Sequence, residues 1–359
     1  MTDWADTNHS WEVRVDAVDQ HNLENVRGPL TGVDLSQCEV TEGYDTDSRV
    51  QARIGTSVRE RTSDGYVDKS RLRITLSVPE WSWSTELVTG FVTDIENSLS
   101  QGFENRRYTT DSVMWALGKD LLPWNVVCAQ GQSMMDVTRW WLNTSLMPYR
   151  EQWPVDRRYN EAKSYEIGES ILSTLFDMHE GYNRLDMDGH GRLVIRANPD
   201  LKAATPKMTL NPEDPRTIII SDLVRSSDEW SVVSRVIVTS SESYEANGKT
   251  EHRTIAGFYD SPANWPSSSA KRGFTIGKKE SYDGANEKPT IQEMAEVARQ
   301  KLEAEQPTSV TWSFTTMFAD LHAGDVISLM PYSTARKCVL TSVQTNLGDM
   351  TQKITAKEV

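Results

Sequence analysis

The chain has 359 residues, of which 37% are hydrophobic and 25% charged, and its formal net charge is -14. This length exceeds what one hydrophobic core commonly serves, so we expect several subdomains. A total of 12 Trp and 11 Tyr residues argues against disorder. The acidic balance argues against sequence-specific nucleic-acid binding, because that affinity depends on Lys and Arg groups that neutralise phosphates.

Membrane and secretory signals are missing from the sequence. No stretch approaches the roughly 20 apolar residues of a membrane span, and the start, MTDWADTNHS, lacks a basic region followed by an apolar one. We therefore expect no membrane span and no export by the usual signal. Cys38, Cys128 and Cys338 lie far apart without a CxxC pair, which predicts free, mostly buried thiols in a reducing compartment.

The first third of the chain reads as short strands. Apolar and polar residues alternate with period two in residues 11–15, 50–54, 71–78 and 87–92. Asp64-Gly65 predicts a hairpin-type turn between two of these strands. Such a run of short strands is typical of a small barrel or sandwich.

Two helices are predicted in the middle third. Ser133 precedes residues 134–141, whose apolar spacing fits one helical face. Ser164 is the predicted N-cap of a second amphipathic helix over residues 165–179, which Gly181 can terminate.

A hairpin follows this helix. Residues 184–196 contain two short alternating stretches around an Asp188-Gly189 turn, in which Gly189 is expected to adopt a positive φ. We expect the helix and the hairpin to pack as one α+β unit. Pro206, Pro212 and Pro215 then mark a connector.

Strand patterning returns in the last third. Residues 232–238 predict a strand, with residues 254–259 as its expected partner, and a long polar loop covers 261–288. Thr290 and Glu293 form a capping box that opens a helix. Its inward-facing residues are predicted to be Met294, Val297 and Leu302. The closing strands are predicted at 310–314, 325–330, 338–343 and 352–356.

One segment has part of the spacing of a calcium-binding loop. Asp186, Asp188 and Gly191 stand at the first, third and sixth positions, but the fifth is His190 and the twelfth is Ala197, where a bidentate Glu is needed. The turn chemistry favours a hairpin over a metal site.

Other chemistry finds little support. His179 and His190 with neighbouring aspartates could form a metal or acid-base cluster, but a helix C-terminus and a polar turn explain them better. The sequence holds no HExxH, no GxSxG and no Gly-rich phosphate loop. We therefore expect no catalytic, cofactor-binding or metal-binding residues. The five tryptophans that could instead form a sugar-stacking surface are Trp81, Trp83, Trp140, Trp141 and Trp153, for which a core or a subunit interface is favoured.

Three segments together resemble the distal tail hub proteins of long-tailed bacteriophages and contractile injection systems. They are residues 164–196, with Ile-Gly-Glu-Ser-Ile-Leu and Asp-Gly-His-Gly-Arg-Leu; residues 318–327, where Gly324-Asp325 precedes a strand; and the ending, Cys338-Val-Leu-Thr-Ser-Val followed by Thr351-Gln-Lys-Ile-Thr. Each motif has low specificity, so the resemblance depends on their order. Gly324 and Asp325 are expected to form a tight turn, in which a side chain at position 324 would clash.

The resemblance implies an α+β, mainly β protein in which two barrel-like tube domains flank a middle α+β domain. Their expected bounds are 1–120, 121–215 and 216–359. Three copies would form a ring with six similar β-domains, which matches a threefold tip to a sixfold tail tube. The implied role is a structural, non-enzymatic virion protein at the distal end of the tail, assembled in the host cytoplasm.

The resemblance also implies partners. They are further copies of the chain in a homotrimer, the distal tail ring protein, the tail tube protein and the tape measure protein, with fibre or receptor-binding proteins in addition; DNA would only pass through the lumen. Two other functions remain open at this point: a tail-associated carbohydrate-binding adhesin and a peptidoglycan hydrolase.

Overall fold

The computed structural model describes residues 10–44, 46, 49–58, 67, 70–100, 102–227, 232–246, 249–265, 267–282, 290–305 and 310–359. The described part is mainly β, as the sequence predicts, and it contains five α-helices, of which α1 (Val113–Lys119) and α4 (Ser269–Arg272) were not predicted. The chain divides into two compact units, Met1–Leu223 with Ser313–Ala356, and Val224–Trp312 with Lys357–Val359. The arrangement of two barrel-like domains around a middle domain stays a prediction.

The strands and helices follow one another along the chain with these bounds. They are β1 Glu12–Asp19, β2 Val26–Pro29, β3 Glu39–Gly43, β4 Val50–Val58, β5 Ser70–Val78, β6 Trp83–Ser100, β7 Phe103–Asp111, α1 Val113–Lys119, β8 Val126–Cys128, α2 Met134–Thr144, β9 Tyr149–Gln152, β10 Lys163–Tyr165, α3 Ile171–His179, β11 Asn183–Met187, β12 Leu193–Ala197, β13 Met208–Leu210, β14 Val224–Ser227, β15 Arg235–Ala246, β16 Lys249–Asp260, α4 Ser269–Arg272, β17 Gly277–Ser281, α5 Ile291–Glu305, β18 Val310–Met317, β19 Val326–Leu329, β20 Arg336–Asn346 and β21 Thr351–Glu358.

One long sheet in the first unit joins strands from both ends of the chain. Its order runs β18-β21-β20-β3-β4-β7-β6-β5-β1-β2, with β19 paired to β20. β20 and β3 pair antiparallel from Ser342↔Gly43 to Asn346↔Glu39, and this pairing connects the early and the late strands. The strands predicted over residues 50–54 and 71–78 are confirmed as β4 and β5, although Arg71 and Arg73 of β5 are buried where strict alternation would expose them.

A separate hydrophobic core holds the middle segment of this unit together. Helices α1, α2 and α3 pack with the β11–β12 hairpin around Leu117, Trp141, Leu175, Leu185 and Ile195. β11 and β12 pair antiparallel, and β12 also pairs parallel with β9. The helix and hairpin therefore form one packed unit, as predicted.

The second helix begins later than the sequence predicts. Tyr165 pairs with Val126 in a two-stranded ribbon, and Gly168 has a φ of 89°, which is incompatible with a continuous helix. α3 therefore starts at Ile171, and Ser170 is its N-cap, since the Ser173 amide donates to Ser170 Oγ at 3.1 Å. Ser164 as N-cap was wrong.

The second unit contains the β16-β15-β17 sheet and helix α5. The capping box is confirmed: Thr290 N donates to Glu293 Oε2 at 2.7 Å, and Glu293 N donates to Thr290 Oγ1 at 3.2 Å. Met294 and Leu302 are fully buried against Val236, and Val297 is partly buried. Residues 261–288 contain α4 and β17, so their description as a plain loop was wrong; residues 266 and 283–289, like the Asp64-Gly65 turn, lie outside the described residues.

Each of the three cysteines is free and buried, as expected. No helix in the described part of the chain is long and apolar enough to cross a membrane.

Candidate functional site

The turn of the β11–β12 hairpin, residues 188–192, docks on the β5–β6 face of the long sheet. Inside the turn, Gly191 N donates to Asp188 O at 3.0 Å, and Arg192 N donates to Asp188 Oδ1 at 2.9 Å. Thr89 Oγ1 on β6 donates to the Gly189 carbonyl at 2.8 Å. The sheet therefore recognises the backbone of the turn.

Glycine is required in the turn for two different reasons. A Cβ at Gly189 would lie 1.8 Å from the carbonyl oxygen of Glu86, so no side chain fits between the turn and β6. The positive φ, 80°, belongs to Gly191, whose Cβ would also meet Thr89 O at 2.5 Å. The sequence assigned the positive φ to Gly189, which was wrong; Gly189 is needed for close approach.

Two arginines of β5 lie buried under this turn. Arg71, 2% exposed, donates from Nη1 to Gly191 O at 3.2 Å and places its guanidinium 3.9 Å from the Phe91 ring centroid. Burial lowers the pKa of Arg71 to about 10. Arg73 lies 3.3 Å from Glu86, which is also 2.6 Å from His190 Nδ1. Arg73 is therefore paired with a carboxylate, whereas Arg71 is held by a backbone carbonyl and an aromatic ring.

A second contact converges on the backbone of Tyr44, just after β3. Arg49 and Arg184 both donate to the Tyr44 carbonyl oxygen, and Arg184 stacks over the Tyr44 ring at 3.4 Å. Arg49 also donates from Nε to the Leu185 carbonyl at 3.2 Å. These bonds join the hairpin to the loop that follows β3.

The turn over residues 318–325 contacts the end of β3 and Tyr44. His322 Nδ1 lies 2.9 Å from Glu42 Oε1 on β3, and its Nε2 lies 3.1 Å from Asp320 Oδ1. The Glu42 carboxylate raises the pKa of His322 to about 10, against the opposing effect of burial. Gly324 has a φ of 94°, and its Cβ would lie 2.9 Å from Tyr44 Cδ2, which confirms that this position requires glycine.

These contacts enclose a polar cavity of about 340 Å³. Its carboxylates are held by cations: Glu42 by His322, and Asp186 by Arg184 at 3.2 Å and Arg196 at 2.5 Å. A carboxylate held by two guanidinium groups is a poor calcium ligand. The described residues contain no group of three His, Cys, Asp or Glu arranged to hold a metal ion. The ion pairs that line the cavity therefore link the two strands of the β11–β12 hairpin to each other and the 318–325 turn to β3, rather than hold a metal ion.

We expect the His322 ion pairs to stabilise the fold most below about pH 6.5 and to weaken as the pH rises into the alkaline range. The folded pKa lies above the ordinary value of 6.5, so this stabilisation is complete below pH 6.5 and is lost as the pH rises through about 10. His322→Gln should cost about 2 kcal/mol at pH 6, the scale of a hydrogen bond to a charged group. Urea titrations at pH 6 and 10.5 measure this: the difference from wild type should shrink at pH 10.5, whereas the exposed control His21→Gln should show no such change. A constant difference would contradict the account.

The imagined histidine cluster does not assemble. His179 is buried between Thr138 Oγ1 at 2.9 Å and Asn183 Nδ2 at 3.0 Å, and burial lowers its pKa to about 4. His190 lies beside Glu86, and Asp177 is bonded to Lys163 and Tyr165. Each group serves a different packing contact.

The tryptophans divide into packed and exposed groups. The indole of Trp83 is half-buried, 6.2 Å from the Trp11 ring and 6.0 Å from Phe318, and Trp81 lies 6.4 Å from Trp11. Trp141 is buried in the middle core, which agrees with the favoured reading. Of the five tryptophans considered for a sugar-stacking surface, Trp140 and Trp153 are exposed.

Sequence reasoning missed the residues that join the segments. Glu42, Arg49, Arg71 and Arg184 were not singled out, because their partners lie far away in the chain, as with Glu42 and His322, 280 positions apart. In the sequence, only the glycines of these turns, Gly189, Gly191 and Gly324, could have indicated the contacts. Each lies where the chain approaches a neighbouring segment too closely for a side chain.

Comparison with solved structures defines the fold. The tail protein from Neisseria meningitidis aligns with a TM-score of 0.66 at 11% identity, over 97% of this chain and 96% of that one. The 43 kDa tail protein of prophage MuSo2 from Shewanella oneidensis aligns with a TM-score of 0.64 at 12% identity, over 97% and 98%. The chain therefore has the fold of phage tail proteins along nearly its whole length.

The same fold extends to a secretion machine. The E. coli c3393 protein, a component of the type VI secretion system described as similar to the T4 tail proteins gp27 and gp5, aligns with a TM-score of 0.53 at 13% identity over 98% of this chain and 76% of that one. The resemblance to the tail hub fold is thus confirmed. No protein-family model and no curated protein matches the sequence.

Proposed function

We propose that this chain is a structural tail-tip hub, three copies of which form a ring that caps a tail tube. The observation that supports it is the match in fold to tail proteins over 97% of this chain and nearly all of theirs. The assignment of domains 1–120, 121–215 and 216–359, with six β-domains per ring, belongs to this proposal. If each chain carries two similar β-domains, a ring of three chains presents six similar contact surfaces to the tail tube.

The internal contacts of the chain fit a structural role. The hairpin and the 318–325 turn are held to the long sheet by backbone recognition and paired charges, so segments from the start, middle and end of the chain are fixed together. Buried polar networks of this kind make the packing of the segments that they join more rigid. A hub that transmits force between tube and tip needs this property.

The expected partners are a distal ring protein, a tube protein, a tape measure protein and fibre or receptor-binding proteins, in a virion assembled in the host cytoplasm. We infer that the lumen of the ring is acidic, since the chain carries a net charge of -14 and like charge keeps passing DNA from binding. A lumen lined by Lys and Arg would contradict that inference.

The mass of the purified particle tests the ring. Light scattering across a range of protein concentrations should give three times the chain mass, with a small dimer fraction at most. A monomer at every concentration would contradict the proposal. Clearing of a peptidoglycan gel by the pure chain would instead favour the hydrolase, and glycan-array binding lost on replacing Trp81 and Trp83 would favour the adhesin.

A further inference from the structure

Two loops of the middle segment are joined into one exposed surface, which we call the apolar platform and define as residues 120–127 and 164–169. Leu122 N donates to Glu169 O at 2.8 Å, and Gly168 N donates to Leu122 O at 2.9 Å. Ile167 N donates to Asn125 Oδ1 at 2.8 Å, and Val127 is paired with Ser164. The two loops therefore hold their side chains in fixed relative positions.

The platform exposes four large apolar side chains. Leu121 is 52% exposed, Trp124 53%, Val127 67% and Ile167 64%. Large side chains present 150–250 Å² each when aromatic and somewhat less when aliphatic, so these four together expose about 400 Å². This area lies in the range of the largest apolar patch on a typical folded monomer, about 300–600 Å², and such a patch is often functional. A standard protein–protein interface covers about 800 Å² per partner in total. The exposed apolar area of the platform is comparable to the apolar central part of such an interface.

The charges around the platform identify the chemistry of what binds there. Asp120, Glu166 and Glu169 lie within it, and Glu166 and Glu169 are exposed. Two cations are adjacent: Lys119, 6.0 Å from the ring centroid of Trp115, and Lys163, which is paired with Asp177. The rim is therefore acidic, on a chain whose net charge is already -14.

A second copy of the same platform is disfavoured as the occupant. A two-fold contact would place Glu166 and Glu169 of both copies along one rim, and like charges across an interface are repulsive. A partner with basic groups around an apolar segment gains binding free energy twice: its apolar side chains cover the centre of the platform, and its basic groups pair with the acidic rim.

We propose that the apolar platform binds a partner polypeptide segment whose apolar side chains are flanked by lysine or arginine. Trp124 and Ile167 are its central anchors, because buried aromatic and aliphatic side chains at the centre of an interface contribute most of the binding energy. The acidic rim selects against acidic segments and accelerates encounter with basic ones. The proposal places this contact outside the ring, and the particle mass of a platform variant tests that placement.

A matched pair of fluorescent peptides tests the proposal on the full chain. One peptide alternates leucine with lysine, and the other carries glutamate at every lysine position. Fluorescence anisotropy should show at least tenfold tighter binding of the lysine peptide. Trp124→Ser and Ile167→Ser should each weaken its binding about tenfold, whereas Trp153→Ser, a change at an exposed tryptophan outside the platform, should leave it unchanged.

A charge reversal separates recognition from nonspecific adhesion. Glu166→Lys should weaken binding of the lysine peptide and strengthen binding of the glutamate peptide. Equal binding of both peptides to wild type, or no effect of Trp124→Ser and Ile167→Ser, would overturn the proposal. A change in particle mass on Ile167→Ser would also overturn it, because the platform would then be a contact between copies; loss of peptide binding at unchanged trimer mass supports it.

Discussion

Gly189→Ala is expected to destabilise the protein by about 3 kcal/mol, although it adds one methyl group to a surface turn. The new Cβ would lie 1.8 Å from Glu86 O and 2.7 Å from Glu86 C, and backbone atoms cannot move aside as a flexible side chain can. The turn must therefore lift from β6. Lifting it removes the Thr89 bond to the Gly189 carbonyl and the Arg71 bond to the Gly191 carbonyl.

The same substitution elsewhere provides the control. Gly118 lies in α1, and its Cβ would meet only Leu172 Cδ2, at 3.6 Å. Gly118→Ala should stabilise the protein by up to about 1 kcal/mol, because glycine is a poor helix residue. Urea unfolding followed by tryptophan fluorescence measures both variants. A Gly189→Ala variant as stable as wild type would show that the turn does not dock closely on the sheet.

Acid should weaken the middle segment through His179. This residue is 2% exposed, and burial lowers its pKa to about 4, below the ordinary value of 6.5. Above pH 6.5 both the folded and the unfolded state hold it neutral. As the pH falls from 6.5 towards 4, only the unfolded state takes up the proton, so stability falls, by about 3 kcal/mol at most from a shift of this size.

The neutral form of His179 suits its surroundings. Asn183 Nδ2 donates to Nδ1, which leaves Nε2–H to donate to Thr138 Oγ1, while the Thr138 hydroxyl donates to the Met134 carbonyl at 2.9 Å. A second proton on the ring would face the Asn183 amide donor. Protonation is therefore opposed by hydrogen bonding as well as by burial.

Substitution of His179 isolates this contribution from that of the carboxylates. His179→Gln should lose about 1 kcal/mol at pH 7 but decline less steeply than wild type between pH 6.5 and 4.5. His21→Gln, at an exposed site, should follow the wild-type profile. If the His179→Gln and wild-type profiles run parallel, the buried imidazole is not the source of the acid sensitivity.

Short sequence patterns correctly predicted the strands and helix starts that are determined by neighbouring residues. Period-two alternation predicted β4 and β5, and the Thr290–Glu293 pair predicted the start of α5, because each signal lies within a few residues of its effect. The α3 start was mispredicted since the pairing of Tyr165 with Val126 overrides the helical spacing of the residues that follow.

Contacts between distant segments could not be predicted. In the alternating pattern of β5, Arg71 reads as a solvent-facing residue, yet it is buried by a turn 120 positions later. Likewise, nothing near Glu42 indicates that His322 will lie beside it. Burial of a charged side chain depends on which segment covers it, and a single sequence does not specify that pairing.

We propose that three copies of the chain close into a ring whose β-domains imitate sixfold symmetry. Electron microscopy of the purified particle, with two-dimensional averages calculated without imposed symmetry, shows whether they do. We expect end-on views with threefold symmetry and six similar lobes around a central opening. End-on views with twofold symmetry, or single particles without an opening, would contradict it.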